Sequence, residues 1–170
     1  EEYMKLHPEV SIQVTGGGSG TGVASLLNKT TEIANSSREL KPAELETAKT
    51  KGVTPFTYQV ALDGIAVIVH PKSKIDSLTV KQVSDIFAGK IKNWKQLGGA
   101  DMPITLYGRE NSSGTYEFFK DHVLGKVDGK QVDYSPSTQV LQGTAALGEA
   151  VARDVKGIGY GGVGYFAERN

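Results

Sequence analysis

The chain has 170 residues, 38% hydrophobic and 22% charged, a composition that builds a sizeable globular core and excludes intrinsic disorder. Lysine plus arginine and aspartate plus glutamate number 19 each, a balance that argues against holding nucleic acid or an anionic membrane through a broad basic field. Cysteine is absent, which removes disulfides, thiolate metal sites and thiol nucleophiles, and no apolar run approaches the ~20 residues that span a bilayer.

The opening run, Glu1 to Pro8, has no signal-peptide pattern and reads as the last turns of a helix stopped by proline. The chain is therefore expected to be a fragment or a processed form. Val10-Ser11-Ile12-Gln13-Val14 alternates and predicts a strand, followed by the glycine-rich loop Thr15 to Gly22 and a helix from Val23 to Leu27. Ile33-Ala34-Asn35 is a short buried strand candidate. Pro42 to Lys51 predicts a helix with proline in its first turn. Thr54 to Val60 and Ile65 to His70 are two further strand candidates, separated by Leu62-Asp63-Gly64. Thr79 to Ala88 predicts a helix with Val80, Val83, Ile86 and Phe87 on one face. Trp94 is read as a packing anchor after it. Ile104 to Arg109 predicts a strand, Thr115 to Leu124 a helix, Gly143 to Asp154 a helix, Gly157 to Tyr160 a strand and Val163 to Glu168 a short helix. Alternating strands and helices give the α/β class with largely parallel sheets.

The richest segment is Gly108-Arg109-Glu110-Asn111-Ser112-Ser113-Gly114-Thr115, set between a predicted strand and a predicted helix. A helix N-terminus offers unpaired amides and partial positive charge. With a guanidinium and hydroxyls added, it can hold a tetrahedral oxyanion. The same Ser-Ser-Gly-Thr stretch also fits an ordinary N-cap and turn. Gly/Ser/Thr clusters recur at two other strand ends, Ser19 to Thr21 and Ser36-Ser37-Arg38, and ligands gather at strand carboxyl ends in such sheets.

Nucleotide and hydrolase motifs do not fit. Gly17 to Gly22 has Walker glycine spacing, but Val23 stands where lysine is required. No glycine set in that loop has dinucleotide spacing, and Thr21 occupies the last glycine position of a Gly-x-Ser-x-Gly pattern around Ser19. His7, His70 and His122 are scattered without ligand spacing and are read as structural or surface residues.

Taken together, several runs resemble the phosphate-binding proteins of bacterial phosphate ABC importers. They are Gly17 to Gly22, Asn35-Ser36-Ser37-Arg38, Ala61 to Val69, Ile86-Phe87-Ala88-Gly89-Lys90-Ile91-Lys92-Asn93-Trp94, Gly108 to Thr115, and Gly157-Ile158-Gly159-Tyr160. The resemblance covers nearly the whole chain. It implies a two-lobed, type II periplasmic-binding-protein-like α/β fold with an anion in the cleft, expected to be truncated at both ends. Residues 1–62 would be part of lobe one, 63–162 lobe two, and 163–170 a short helix leading to a return crossing. The Val60 to Val67 region would be the outward hinge crossing. The family's first anion loop would lie upstream of Glu1, so this chain alone is expected to bind weakly.

By resemblance, Arg109, Ser113, Gly114 and Thr115 bind phosphate from lobe two, and Ser19 with the neighbouring Gly20 amide from lobe one. Many family members have an aspartate where this chain has Ser37, a site residue that can donate or accept; exclusion of sulfate is thereby weakened. Arg38 is read as a surface salt-bridge residue. The implied protein is a non-enzymatic, periplasmic or extracellular receptor that delivers inorganic phosphate to a membrane permease. It has no cofactor, metal, catalytic residue or nucleic-acid partner. Alternatives are a receptor for sulfate, molybdate or tungstate, a module that keeps the fold but not the site, and a phosphate-ester enzyme. The last is disfavoured because no metal ligands or paired base accompany the serines.

Overall fold

In the computed structural model, which describes residues 1–167, two separate apolar cores organise the chain. The smaller lies in the N-terminal third. After a short helix α1 (Glu2–Leu6), α2 (Ser19–Leu27) and α3 (Pro42–Thr50) bury Val23, Leu27 and Ala48 against each other, with Leu40 and Val53 alongside.

The larger core is built on a sheet. Its first strand is β1 (Ile65–Val69). Helix α4 (Val80–Phe87) follows, and Thr79 closes its N-terminus. The Thr79 hydroxyl accepts from the Gln82 amide at 3.2 Å and the Gln82 side chain accepts from the Thr79 amide at 2.8 Å. Next come β2 (Thr105–Arg109) and α5 (Gly114–Phe119), which runs into a π-helical turn, Lys120–Leu124. A small hairpin, β3 (Lys126–Val127) and β4 (Lys130–Gln131), leads to β5 (Gln139–Leu141), α6 (Gly143–Arg153), β6 (Gly157–Gly162) and α7 (Val163–Ala167). The sheet order is β1-β6-β2-β5. β2 runs parallel to both β6 and β5, and β1 is antiparallel to β6.

One sheet face packs on Phe87, Phe119, Trp94 and Ile86. Trp94 is the anchor its position suggests: it is buried, and its indole donates to the Lys156 carbonyl at 3.0 Å. The other face packs on Leu147 and Val151 of α6. A β-carbon on Gly159 would lie 2.6 Å from Leu147 Cδ2, so the bare strand lets α6 approach closely.

Three expected strands are not formed. Residues 10–14, 33–35 and 54–60 have no regular secondary structure and lie in no ladder. Phe56 is 80% and Val60 94% exposed, and Ile33 is exposed instead of buried. Alternation supplies an apolar face, but a strand also needs a hydrogen-bonded neighbour. Val80 is exposed at the start of α4, whereas Val83, Ile86 and Phe87 are buried as expected. The helix expected over 115–124 changes to π winding after Phe119. The expected last residue of the final helix, Glu168, lies outside the described residues. Of the elements not anticipated, the hairpin had a readable signal: Asp128 and Gly129 both have positive φ, 51° and 75°, as its tight Asp-Gly turn requires.

Candidate functional site

The N-termini of α2 and α5 meet. Gly18 caps α2 in an extended conformation, and a β-carbon there would overlap the Ser112 carbonyl. The Gly20 amide donates to that same carbonyl at 3.1 Å. The Gly-Ser-Gly loop and the loop after β2 therefore touch backbone to backbone. Glycine is required at this contact for space, not for an unusual φ.

Ser113 is the N-cap of α5, its hydroxyl accepting from the Tyr116 amide at 3.4 Å. The N-cap reading of this segment thus holds at Ser113, which also lines the cleft. Ser19 Oγ accepts the Ser37 amide at 3.1 Å and lies 3.2 Å from Ser37 Oγ. Both hydroxyls sit over Gly114.

Around this junction lies a cleft of about 350 Å³ lined by Gly17, Gly18, Ser19, Asn35, Ser36, Ser37, Arg109, Ser113, Gly114 and Thr115. The structure brings together Ser19, Ser37, Arg109, Ser113, Gly114 and Thr115, six of the seven residues singled out from the sequence. Gly20 is beside the cleft, with its amide committed to Ser112. Gly17, Gly18, Asn35 and Ser36 were missed, although each belongs to the same Gly/Ser clusters.

Arg109 is held at the end of β2 by a buried partner. Its Nε and one Nη donate to the two carboxylate oxygens of Glu110, each at 2.9 Å, and the other Nη donates to Thr144 Oγ1 at 2.9 Å. The Gly143 amide also reaches Glu110 at 3.3 Å. Burial opposes ionisation of Glu110, but the Arg109 hydrogen bonds and the backbone amides outweigh it and hold the carboxyl below its ordinary value. The guanidinium plane is fixed, and its remaining hydrogens are available to a ligand.

Two tyrosines support this end of the sheet. Tyr160 OH accepts the Arg109 amide at 3.4 Å and shares a 2.8 Å hydrogen bond with Tyr134, whose hydroxyl donates to the Tyr116 carbonyl at 3.1 Å. Burial pushes both phenols up; at Tyr160 the hydrogen bonds from Tyr134 and the Arg109 amide oppose it, and the hydroxyl still rises to about 12. They remain neutral struts between β2 and α5. No local pattern in the sequence pairs them.

Arg38 does not lie on the surface as expected. Its side chain is 11% exposed and donates to both Glu44 oxygens, at 2.8 and 2.9 Å, while its Nε pairs with Glu117 of α5.

The cleft lining offers hydroxyls, amides and one guanidinium. It contains no carboxylate, histidine or lysine. Such a lining can capture an oxyanion but has no base to activate a serine. Among the described residues no group of His, Asp and Glu could hold a metal ion. A larger hollow of about 600 Å³ lies along α3. Its two charges, Glu46 and Lys49, pair with each other at 2.7 Å, and it has no convergent donors.

A family model described as the PBP superfamily domain matches residues 1–169. The chain is 35% identical to the phosphate-binding protein PstS of Pseudomonas aeruginosa, over 97% of this chain and 54% of that protein. It is 34% identical to PstS of Bacillus subtilis, over 99% of this chain and 53% of the relative. Among solved structures it resembles a Clostridium perfringens protein described as a phosphate ABC transporter substrate-binding protein and solved with bound phosphate. That match has a TM-score of 0.82 and 34% identity, covering 96% of this chain and 63% of the other. An ABC-type phosphate transport receptor from Vibrio cholerae matches with a TM-score of 0.72 and 30% identity, over 96% and 64%. The chain spans about half the length of the curated relatives it matches.

Proposed function

We propose that this chain, which belongs to the PBP superfamily, binds inorganic phosphate in the cleft between α2 and α5 as part of a receptor for a membrane ABC importer. The observation that carries the reading is the convergence of two helix N-termini, hydroxyls from both sides and the clamped Arg109 guanidinium on one cleft. The similarity to phosphate-binding proteins, one of them solved with bound phosphate, supports the choice of anion.

On this reading residues 1–62 contribute to one lobe, 63–162 to the other, and 163–170 begin the way back. The separate cores under α2–α3 and around the sheet support that division. Ser19 and Ser37 act from the first lobe, and Arg109, Ser113, Gly114 and Thr115 from the second; Gly20, its amide taken by Ser112, ties the two loops together instead. The protein releases the anion unchanged to a permease and works outside the cytoplasmic membrane, in the periplasm or at the cell exterior.

The test is calorimetric titration with phosphate, sulfate and molybdate, alongside a phosphatase assay, on this chain and on a version extended at both ends. Phosphate binding without turnover is expected, tighter in the extended version. Preference for sulfate or molybdate would favour the second reading, another oxyanion receptor, which the absence of a carboxylate in the cleft lining supports.

A further inference from the structure

Arg38 and Lys41 reach from the segment before α3 to Glu117, one turn into α5. Lys41 Nζ lies 2.5 Å from Glu117 Oε1, and the two residues are 76 positions apart in sequence. We propose that these ion pairs form a clasp that holds the two sides of the cleft closed, making Arg38, Lys41 and Glu117 positioning residues for anion retention. The inference rests on the phosphate reading for its ligand, but not for its geometry.

Three observations carry it. First, the apolar clusters on the two sides share no residue, so no common core fixes one side to the other. Among the described residues, contacts that cross the cleft include the Gly20–Ser112 backbone hydrogen bond, the close approach of Gly18 to Ser112, that of Ser19 and Ser37 to Gly114, and the charged group. Second, the charged group is partly dehydrated: Arg38 is 11% and Glu117 19% exposed. Pairs so placed are screened less than surface pairs. Third, Arg38 is aimed. Glu44 takes both its Nη groups and also caps the Lys41 amide at 2.7 Å, leaving Nε to face Glu117. The Arg38 hydrogen bonds are the main cause that holds the Glu44 carboxyl low, so the aiming group stays ionised.

The clasp has an effect opposite to simple electrostatics. Glu117 lies in the first turn of α5, beside the anion cleft, where an unpaired carboxylate repels an anion. If charge repulsion alone mattered, Glu117→Gln would tighten anion binding. If the clasp matters, the same change loosens closure and speeds release, because losing one member of a desolvated pair acts mainly on dissociation.

Closure can be read without any ligand. The chain lacks cysteine, so Lys49→Cys on α3 and Arg153→Cys on α6 accept spin labels cleanly. In the absence of phosphate, Glu117→Gln and Lys41→Ala are each expected to lengthen and broaden the label distance distribution. High salt should do the same to the parent. Stopped-flow release of inorganic phosphate should be about tenfold faster in Glu117→Gln, with little change in association. Unchanged distances in both variants, or tighter phosphate binding by Glu117→Gln, overturn the clasp. A parent chain that binds no phosphate overturns the ligand reading instead, and the label distances still decide the clasp. Lys41 is half-exposed, so its truncation tests the pair even if the Glu117 variant folds poorly.

Discussion

Gly114 and Ser37 face each other with no room for a β-carbon between them: an alanine methyl at 114 would occupy the place of Ser37 Oγ and press on Ser19 Oγ. The two hydroxyls from the α2 side thus rest directly on the first turn of α5. On the proposed reading, this contact is what lets donors from both sides meet one small ligand.

Gly114→Ala should therefore separate the two sides without disturbing the sheet. Overpacking of this kind costs about 1–3 kcal/mol, and the loss is expected in phosphate affinity more than in the melting temperature. Gly164→Ala, where an added methyl meets nothing within 4 Å among the described residues, is the control. Titration and thermal melts of the two variants measure it; equal affinities would mean the contact is not needed for binding.

Arg109→Ala should cost on the order of 2–5 kcal/mol of phosphate binding, the range for truncating one member of a buried hydrogen-bonded charge pair. It also strands the buried Glu110 carboxylate, so the melting temperature should fall as well. Arg109→Lys keeps the charge but cannot make the two-point bond to Glu110 and still address a ligand, so it should recover little affinity. Unchanged phosphate affinity in Arg109→Ala would remove this residue from the site.

Much of this site was legible because its chemistry is local. Arg109, Ser113, Gly114 and Thr115 are consecutive or nearly so, and one strand-to-helix turn places them together. Ser19 and Ser37 were legible as clusters, but their mutual 3.1–3.2 Å contacts depend on how separate segments pack. The burial of Arg38 was not legible for the same reason: one of its two partners, Glu117, lies far along the chain. Helices with an apolar stripe, such as α4, were readable from periodicity. The three unformed strands show the limit of that signal. Alternation around Ile12 or Tyr58 describes a face, and only a neighbouring strand turns it into a ladder.

Glu110 should give the fold an acid-sensitive component. Its folded carboxyl is held below the ordinary value of 4.5, so the ionised, Arg109-bound form stabilises the native state above that value. The contribution is lost as pH falls from there through the folded value. Melting temperatures measured from pH 7 to pH 3 should drop in the acid part of the range. Glu110→Gln should be less stable at pH 7 and show a shallower acid slope. Parallel slopes for parent and variant would place the acid sensitivity in other carboxylates.

On the proposed reading, Ser37 is the position at which anion choice should be alterable. Its hydroxyl and that of Ser19 share a hydrogen bond, and either can act as donor. A hydroxyl accommodates an oxyanion with or without a proton, so the cleft as it stands has no strong means of telling hydrogen phosphate from sulfate. Ser37→Asp introduces a carboxylate over the first turn of α5. Hydrogen phosphate can donate its proton to that group; sulfate, which has none at neutral pH, meets two like charges at close range instead. Ser37 is exposed, so solvent screens part of this repulsion. The phosphate-to-sulfate affinity ratio should rise in the variant, chiefly through loss of sulfate binding. Phosphate affinity should also become more dependent on pH, because binding now requires a proton between two oxygens. Competitive titration at pH 6, 7 and 8 measures both effects. A ratio equal to the parent's at every pH would place Ser37 outside the anion's reach, leaving its 3.1 Å amide bond to Ser19 as a purely structural tie.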